Sequence, residues 1–308
     1  MIQPVFSAAL PVSESLVINK NHITGTRQNG PRIAVVSGMY GEELEGQFVA
    51  YELARRLNEQ PGALQATVDI YPALNPLGLT ARERGVPQFD IDLDHTFPGN
   101  PDGNLTEALA AAVYEDIVGA NACIIVHSSN AHVREIPQVR IYEHTDQLLR
   151  LANLLNAHLI WTRKDAQSLE STLAHALNKA GTPTLVVEMG SGMSLSKDDG
   201  AWLVEGILRL LEEMRGWSGA TIAFPFPLVS DGSGVQTMLA EEPGLFLSNV
   251  EHGARVTRGQ LLGHIINPLE GVVKRSVHAP CNGLLFTLRS YPVVYPGSLL
   301  GRILESRS

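Results

Sequence analysis

With 308 residues, the chain has room for one large domain, or one domain and a smaller module, around a sizeable core. Apolar residues make up 44% and charged residues 18%, the proportions of an ordinary soluble globular protein. A formal net charge of -9 argues against nucleic acid or an anionic membrane as partner and leaves small-molecule chemistry.

The opening stretch MIQPVFSAALPVSES carries no basic region ahead of an apolar run. No window of the chain approaches the roughly 18 apolar residues of a membrane span, so a cytoplasmic location is expected. RIAVVSG predicts a strand that turns at Gly38 into a helix, where Val49, Leu53 and Leu57 recur on one face. ATVDIYPALNP predicts a second strand ending in a proline-marked loop. In NLTEALAAAVYEDIVG, Asn104 caps a helix with Glu107 three residues on, and Leu105, Leu109, Val113 and Ile117 form its apolar stripe. ACIIVHSS and TPTLVVEMGSG are short, continuous apolar runs bounded by turn residues, as in strands covered on both faces. Cys123, inside the first of them, reads as a small core residue; Cys281 is far away and no C-x-x-C spacing occurs, so a disulfide framework is not expected.

This alternation predicts an α/β fold with a mostly parallel or mixed sheet flanked by helices. From about Ala220 the helical period disappears, and β-like runs such as GLFLSNVEHGARVTRGQLLGHI, VHAPCNGLLFTL and YPVVYPGSLLGRIL follow one another between glycine and proline turns. Residues 1–218 are therefore expected to form the catalytic unit and residues 219–308 a small all-β domain.

Ligands of open α/β sheets collect beyond the carboxyl ends of the strands, so the polar residues that follow each run are the candidates. They are Tyr40, Glu42 and Glu43 after the first, Asn75, Arg82 and Arg84 after the second, His127 and Ser128 after the third, and Glu188 closing LVVE. Carboxylate and imidazole are zinc ligands, and a catalytic zinc keeps one position open for water. Glu43 and His127 could bind such a metal, Glu188 could carry the proton, and Arg84 could face an oxyanion or a substrate carboxylate. Each has a plainer rival: Glu43 would also suit a helix N-terminus, and an isolated histidine after a strand is more often structural. Glu188 is the sharpest candidate, because an ionisable group at the end of TLVV is costly to bury without a role.

In these positions the chain resembles the succinylglutamate desuccinylase and aspartoacylase family, whose catalytic domain is similar to zinc carboxypeptidases. SGMYGEELEG lies where that family has G-x-H-G-[DN]-E. NPLGLTARERG and DLDHTFPG lie where it has N-P, a substrate-binding arginine and D-L-N-R-x-F-P-G; IIVHSS matches its D-L-H strand end and LVVEMGSG its glutamate strand. The resemblance implies that Glu43 and His127 are metal ligands, that Tyr40 stands at the third ligand's place, and that Glu188 activates water. It also implies that Arg84, with Arg82 as the alternative, Asn75, Asp94 and His95 lie at the substrate, and that the cofactor is one zinc or another divalent metal.

Tyr40 replaces a histidine ligand, Asp94-His95 replaces Asn-Arg, and Ile125 stands where the aspartate of D-L-H would be. Three outcomes remain open: Tyr40 is a ligand, Asp94 or His95 completes a rearranged metal site, or the metal has gone. Exchanging a guanidinium for an imidazole weakens carboxylate recognition, while Asp94 favours a cationic or hydroxyl-bearing head group. The expected activity is a metal-dependent deacylase that cleaves the amide bond of a small N-acylated amine or amino-acid derivative. The alternatives are a metal-free ligand-binding protein on the same scaffold and a hydrolase using Ser128 or Ser129 beside His127. The C-terminal β region would shape the mouth of the cleft or form a contact in a homo-oligomer.

Overall fold

Alternating apolar side chains send each central strand into two separate cores, one on either face of a sheet. The computed structural model describes residues 1–87, 91–141, 145–162, 171–223 and 227–306. In chain order these hold β1 (Ile2–Ala9), β2 (Ser15–Thr24), β3 (Arg32–Val36), α1 (Glu45–Glu59), β4 (Thr67–Tyr71), α2 (Pro76–Ala81), α3 (Leu105–Ile117), β5 (Ala122–Ser128), β6 (Val133–Ile141), α4 (Asp146–Ala152), β7 (Leu159–Thr162), α5 (Leu173–Lys179), β8 (Thr184–Gly190) and α6 (Lys197–Glu213). Strands β4, β3, β5 and β8 run parallel, with β2 antiparallel at one side and β6 antiparallel at the other, in the order β1-β2-β4-β3-β5-β8-β6. The expected α/β class is what the chain adopts.

Ile33, Val35, Ile124, Val126, Leu185 and Val187 face one core, shared with Val49, Leu53 and Leu57 of α1 and with Leu203, Ile207 and Leu211 of α6. Ala34, Val36, Cys123, Ile125 and Val186 face the other, with Leu109, Val113 and Ile117 of α3 and Leu173 and Leu177 of α5. A stripe of this width is what fixes an amphipathic helix on a sheet. The start of α3 is fixed by its capping box: Asn104 Oδ1 accepts from the backbone N–H of Thr106 and Glu107, and Glu107 Oε2 accepts from the Asn104 N–H at 2.8 Å. Such caps contribute about 1 kcal/mol.

The C-terminal region folds as β9 (Leu228–Ser230), β10 (Val235–Leu239), β11 (Gly244–Ser248), β12 (Arg255–Val256), β13 (Leu261–Asn267), β14 (Val272–His278), β15 (Gly283–Arg289), β16 (Val293–Val294) and β17 (Leu299–Glu305). Four of these make their own antiparallel sheet, β14-β13-β11-β16, over a core that includes Phe246, Leu262, Ile265, Leu285 and Ile303. The remainder continue the main sheet. Strand β6 forks to allow it: Val133, Arg134 and Glu135 pair with β15, while Gln138 to Ile141 pair with β7. Beyond β15 the sheet runs on through β17 to β10, and β9 pairs with β7. Among the described residues no helix is long and apolar enough to cross a membrane.

Candidate active site

The carboxyl ends of β3, β5 and β8 open on one side of the sheet, on the face covered by α5. A cavity of about 370 Å³ lies there, lined by Tyr40, Glu43, Arg84, Asp94, His95, Ile125, His127, Ser128, Asn130, Arg140, Thr172, Ala174, Val186 and Glu188. Eight of the candidate residues named from the sequence thus surround one space: Tyr40, Glu43, Arg84, Asp94, His95, His127, Ser128 and Glu188.

Tyr40 and Glu43 sit in the tight connection between β3 and α1, both buried. A Cβ at Gly41 would lie 2.0 Å from the backbone of Gly78, so only glycine lets this connection pass the start of α2. His127 and Glu188 are directly paired on neighbouring strands. His127 Nδ1 lies 2.9 Å from Glu43 Oε2. Burial works to lower the imidazole's pKa, but the Glu43 carboxylate, then Asp94 and Glu188, outweigh it and push it up to about 9. The phenol of Tyr40 donates to Asp92 Oδ1 at 2.8 Å, and the Arg84 guanidinium lies over its ring at 3.6 Å. Burial and the carboxylates of Asp94 and Asp92 push the phenol's pKa above its ordinary range, with Arg84 opposing.

Asp94 is held by its own turn. Its backbone N–H donates to Asp92 Oδ1 at 3.1 Å, and its Oδ1 accepts from the Leu173 N–H at the start of α5 at 3.2 Å. Burial raises its pKa, with His127 opposing. His95, exposed at the rim, contacts Ser171 Oγ at 3.1 Å.

Asn75 lies outside the lining. Its Oδ1 accepts from Gly78 N–H at 2.8 Å as the cap of α2, and its Nδ2 donates to Gly85 O at 2.9 Å. With both ends of the amide used, Asn75 shapes the loop that carries Arg84 and does not point into the cavity. Arg82 adopts a left-handed conformation at the end of α2 and lines a separate hollow with Gly41, Glu42, Leu44, Leu79 and Met193. Of the two arginines, Arg84 is the one at the cavity. Ser128 also lines it, but its hydroxyl accepts from the Glu45 N–H at 3.3 Å, while the His127 Nδ1 is turned to Glu43; Ser128 and His127 are not paired as nucleophile and base.

A catalytic zinc takes three protein ligands, and the donor set falls short of that. Glu43 and His127 supply two donors, whereas the third place holds a phenol whose hydroxyl donates to Asp92. Among the described residues no three His, Cys, Asp or Glu side chains are grouped so as to hold a metal ion. As arranged, these side chains do not fit a three-ligand zinc centre.

Arg140 and Glu135 were not singled out in the sequence. Arg140 Nη1 lies 2.5 Å from Glu188 Oε2, and Nη2 lies 2.9 Å from Glu135 Oε2. Burial raises the pKa of Glu188 to about 8; Arg140 opposes this and Glu135 adds to it. The segment EIPQVRI offers only a weak signal, since its polar residues fall where an apolar strand face would be read.

A model of the succinylglutamate desuccinylase/aspartoacylase catalytic domain matches residues 29–214. The chain is 25% identical over 292 residues, 91% of its length and 83% of the relative's, to the N-alpha-acetyl-L-2,4-diaminobutyric acid deacetylase of Halomonas elongata. Its fold is similar to that of the succinylglutamate desuccinylase/aspartoacylase from Rhodobacter sphaeroides, with a TM-score of 0.79 and 21% identity over 100% of this chain and 95% of that one. The product-bound ectoine utilization protein EutE (DoeB) from Ruegeria pomeroyi superposes with a TM-score of 0.80 and 20% identity, covering 99% of each chain.

Proposed function

The chain belongs to the succinylglutamate desuccinylase/aspartoacylase family, and from that premise we propose that it hydrolyses the amide C–N bond of a small N-acylated amine or amino-acid derivative with a cationic or neutral head group. The observation that carries the substrate class is the Asp94 carboxylate at the cavity wall, where the family has asparagine, beside His95, where it has arginine. A dicarboxylic head would meet a negative charge there and lose its guanidinium partner, whereas an ammonium would gain a charge-assisted hydrogen bond. The Halomonas relative is named for an acylated diamino acid, and the N-acetylation in that name leaves one amine free.

In the proposed reaction the Glu188 carboxylate takes a proton from a water molecule as its oxygen attacks the acyl carbon. The negative charge that develops on the carbonyl oxygen is met by the Arg84 guanidinium at the cavity wall. Glu188 then returns the proton to the departing nitrogen, the C–N bond breaks, and a carboxylate and a free amine leave. A pKa near 8 places the group where it can exchange protons in both directions near neutral pH. Because the donor set does not fit the family's zinc, no step is assigned to a metal.

The test is the release of primary amine from N-acetylated diamino acids and diamines, set against N-acetylaspartate and succinylglutamate, in the wild type and in Glu188→Gln. Release from the cationic substrates, lost in the variant, is the expected result. Preference for the dicarboxylic substrates, or release that survives Glu188→Gln, would reject the reading.

A further inference from the structure

A row of polar side chains crosses the main sheet at right angles to its strands, from the C-terminal region to the cavity. Arg302 of β17 is paired with Thr287 of β15, and Thr287 with Glu135 of β6. On the other side of β6, Gln138 is paired with Glu188 of β8, and Glu188 with His127 of β5. Between Glu135, opposite Gly190, and Gln138, opposite Glu188, β6 uses one residue more than β8 does. This bulge returns Glu135 and Gln138 to the same face, where simple alternation would separate them.

Glu135 is the centre of the row. It is 1% exposed, and both oxygens accept twice. Oε1 takes the Thr287 hydroxyl at 3.0 Å and Arg302 Nη1 at 3.1 Å, while Oε2 takes Gln138 Nε2 at 2.8 Å and Arg140 Nη2 at 2.9 Å. The charges alternate along the chain of contacts: Arg302, Glu135, Arg140, Glu188. A carboxylate with four donors in place is rigid, and a buried charge that keeps its partners holds them in register as well.

We infer that Glu135, gripped by β15 and β17 through Thr287 and Arg302, is a positioning residue that fixes the Arg140 guanidinium against Glu188 and so makes the C-terminal strands part of the site. Without Glu135, Arg140 loses one of the two carboxylates that orient its fork. The Arg140 contact that orients the Glu188 oxygens is then less firmly held. The geometry stands by itself; only its kinetic consequence rests on Glu188 acting as proposed above.

The first measurement is NMR of the guanidinium groups in the full chain. In the wild type, Arg140 should give separate Nη proton signals, because contacts on both sides stop rotation about its Cζ–N bonds. In Arg302→Gln, a change at a partly exposed strand that leaves the core intact, those signals should broaden, and in Glu135→Gln they should merge. Arg140 signals that stay separate in both variants, each with an unchanged melting temperature, would overturn the inference. If Glu135→Gln does not fold, Arg302→Gln and Thr287→Val decide it by the same readout. Where amide hydrolysis is measurable, kcat in these variants should fall roughly ten- to a hundredfold, as displacement of a catalytic group by about 1 Å does. KM should hold, because Asp94 and Arg84 are untouched; a rise in KM with kcat unchanged would also count against the inference. Absence of hydrolysis in the wild type would reject the proposed function and leave the NMR result intact.

Discussion

At Tyr40 a single side chain decides what the cavity can hold. A phenol that donates to Asp92 and lies under Arg84 is a poor metal donor, whereas an imidazole there would complete a set with Glu43 and His127. Tyr40→His should therefore bind zinc more tightly than the wild type, by more than the roughly 10–100-fold that outer-shell partners contribute; titration with a zinc-sensitive dye measures it, and equal affinity in the two proteins would show that the tyrosine is not what limits binding. Asp94→Asn should raise KM for a cationic substrate by roughly tenfold or more, as loss of a charge-assisted hydrogen bond does, and should leave a neutral substrate nearly unaffected. For Glu188 the sign of the pH effect follows from its role. Only the deprotonated form can accept the proton from water, so kcat/KM should climb as pH rises toward about 8 and level off above it. A profile already flat at pH 6 would contradict this.

Among the elements, the strands that build the site were the legible ones. Val36, His127 and Glu188 end or close runs apolar on both faces, and covered parallel strands leave that mark in sequence. Asn104 and Glu107 announced α3 in the same way, by local chemistry that completes itself within one turn. Strand β6 was not legible, because Glu135 and Gln138 are polar yet buried and Arg140 is half-buried, and Thr287, Arg302 and Glu188, which complete their set of contacts, lie on other strands. Asn75 misled for a related reason: a residue can stand at the right strand end and be spent on capping α2. Two element-scale variants follow. Gly190 has φ +64° at the end of β8, and a Cβ there would lie 2.0 Å from the buried Glu45 carboxylate, which accepts from the Ser196 N–H at 2.9 Å. Gly190→Ala should lower the melting temperature and displace Glu188, abolishing hydrolysis. At the opposite end of the sheet, the fully buried Asp69 of β4 joins His22 at 2.6 Å, Arg32 at 2.8 Å and Lys20 at 3.5 Å. Burial alone would raise its pKa, but the hydrogen bonds from His22 and Arg32 and the charge of Lys20 lower it below the ordinary 3.8. Its contribution to stability is thus complete above pH 3.8 and is lost as pH falls through the folded-state value. Asp69→Asn should cost roughly 3–5 kcal/mol at pH 7, as breaking a buried pair does, with the gap to the wild type narrowing in strong acid; chemical denaturation at the two pH values reads it.

For the whole molecule, composition and strand order predicted the α/β class, and glycine and proline turns predicted the C-terminal β texture. Nothing local in the sequence predicted that β15 would dock on β6, because that pairing depends on register between segments far apart in the chain. Ending the chain at residue 218 would remove β15 and β17 and leave Glu135 without Thr287 and Arg302. The shortened protein should be aggregation-prone or inactive, which size-exclusion chromatography and the amine-release assay would show; a monomer of full activity would contradict it. The fork in β6 also has a consequence in time. Glu135 and Thr287 are separated by 152 positions, which at a synthesis rate of about 5–20 residues per second means roughly 8–30 s on the ribosome before the partner is made. During that interval the first half of β6 presents unpaired backbone groups, the kind of edge that invites pairing with other chains. Strands made long after β6 therefore close the part of the sheet that is most vulnerable in the nascent chain, and folding of the site waits for their synthesis.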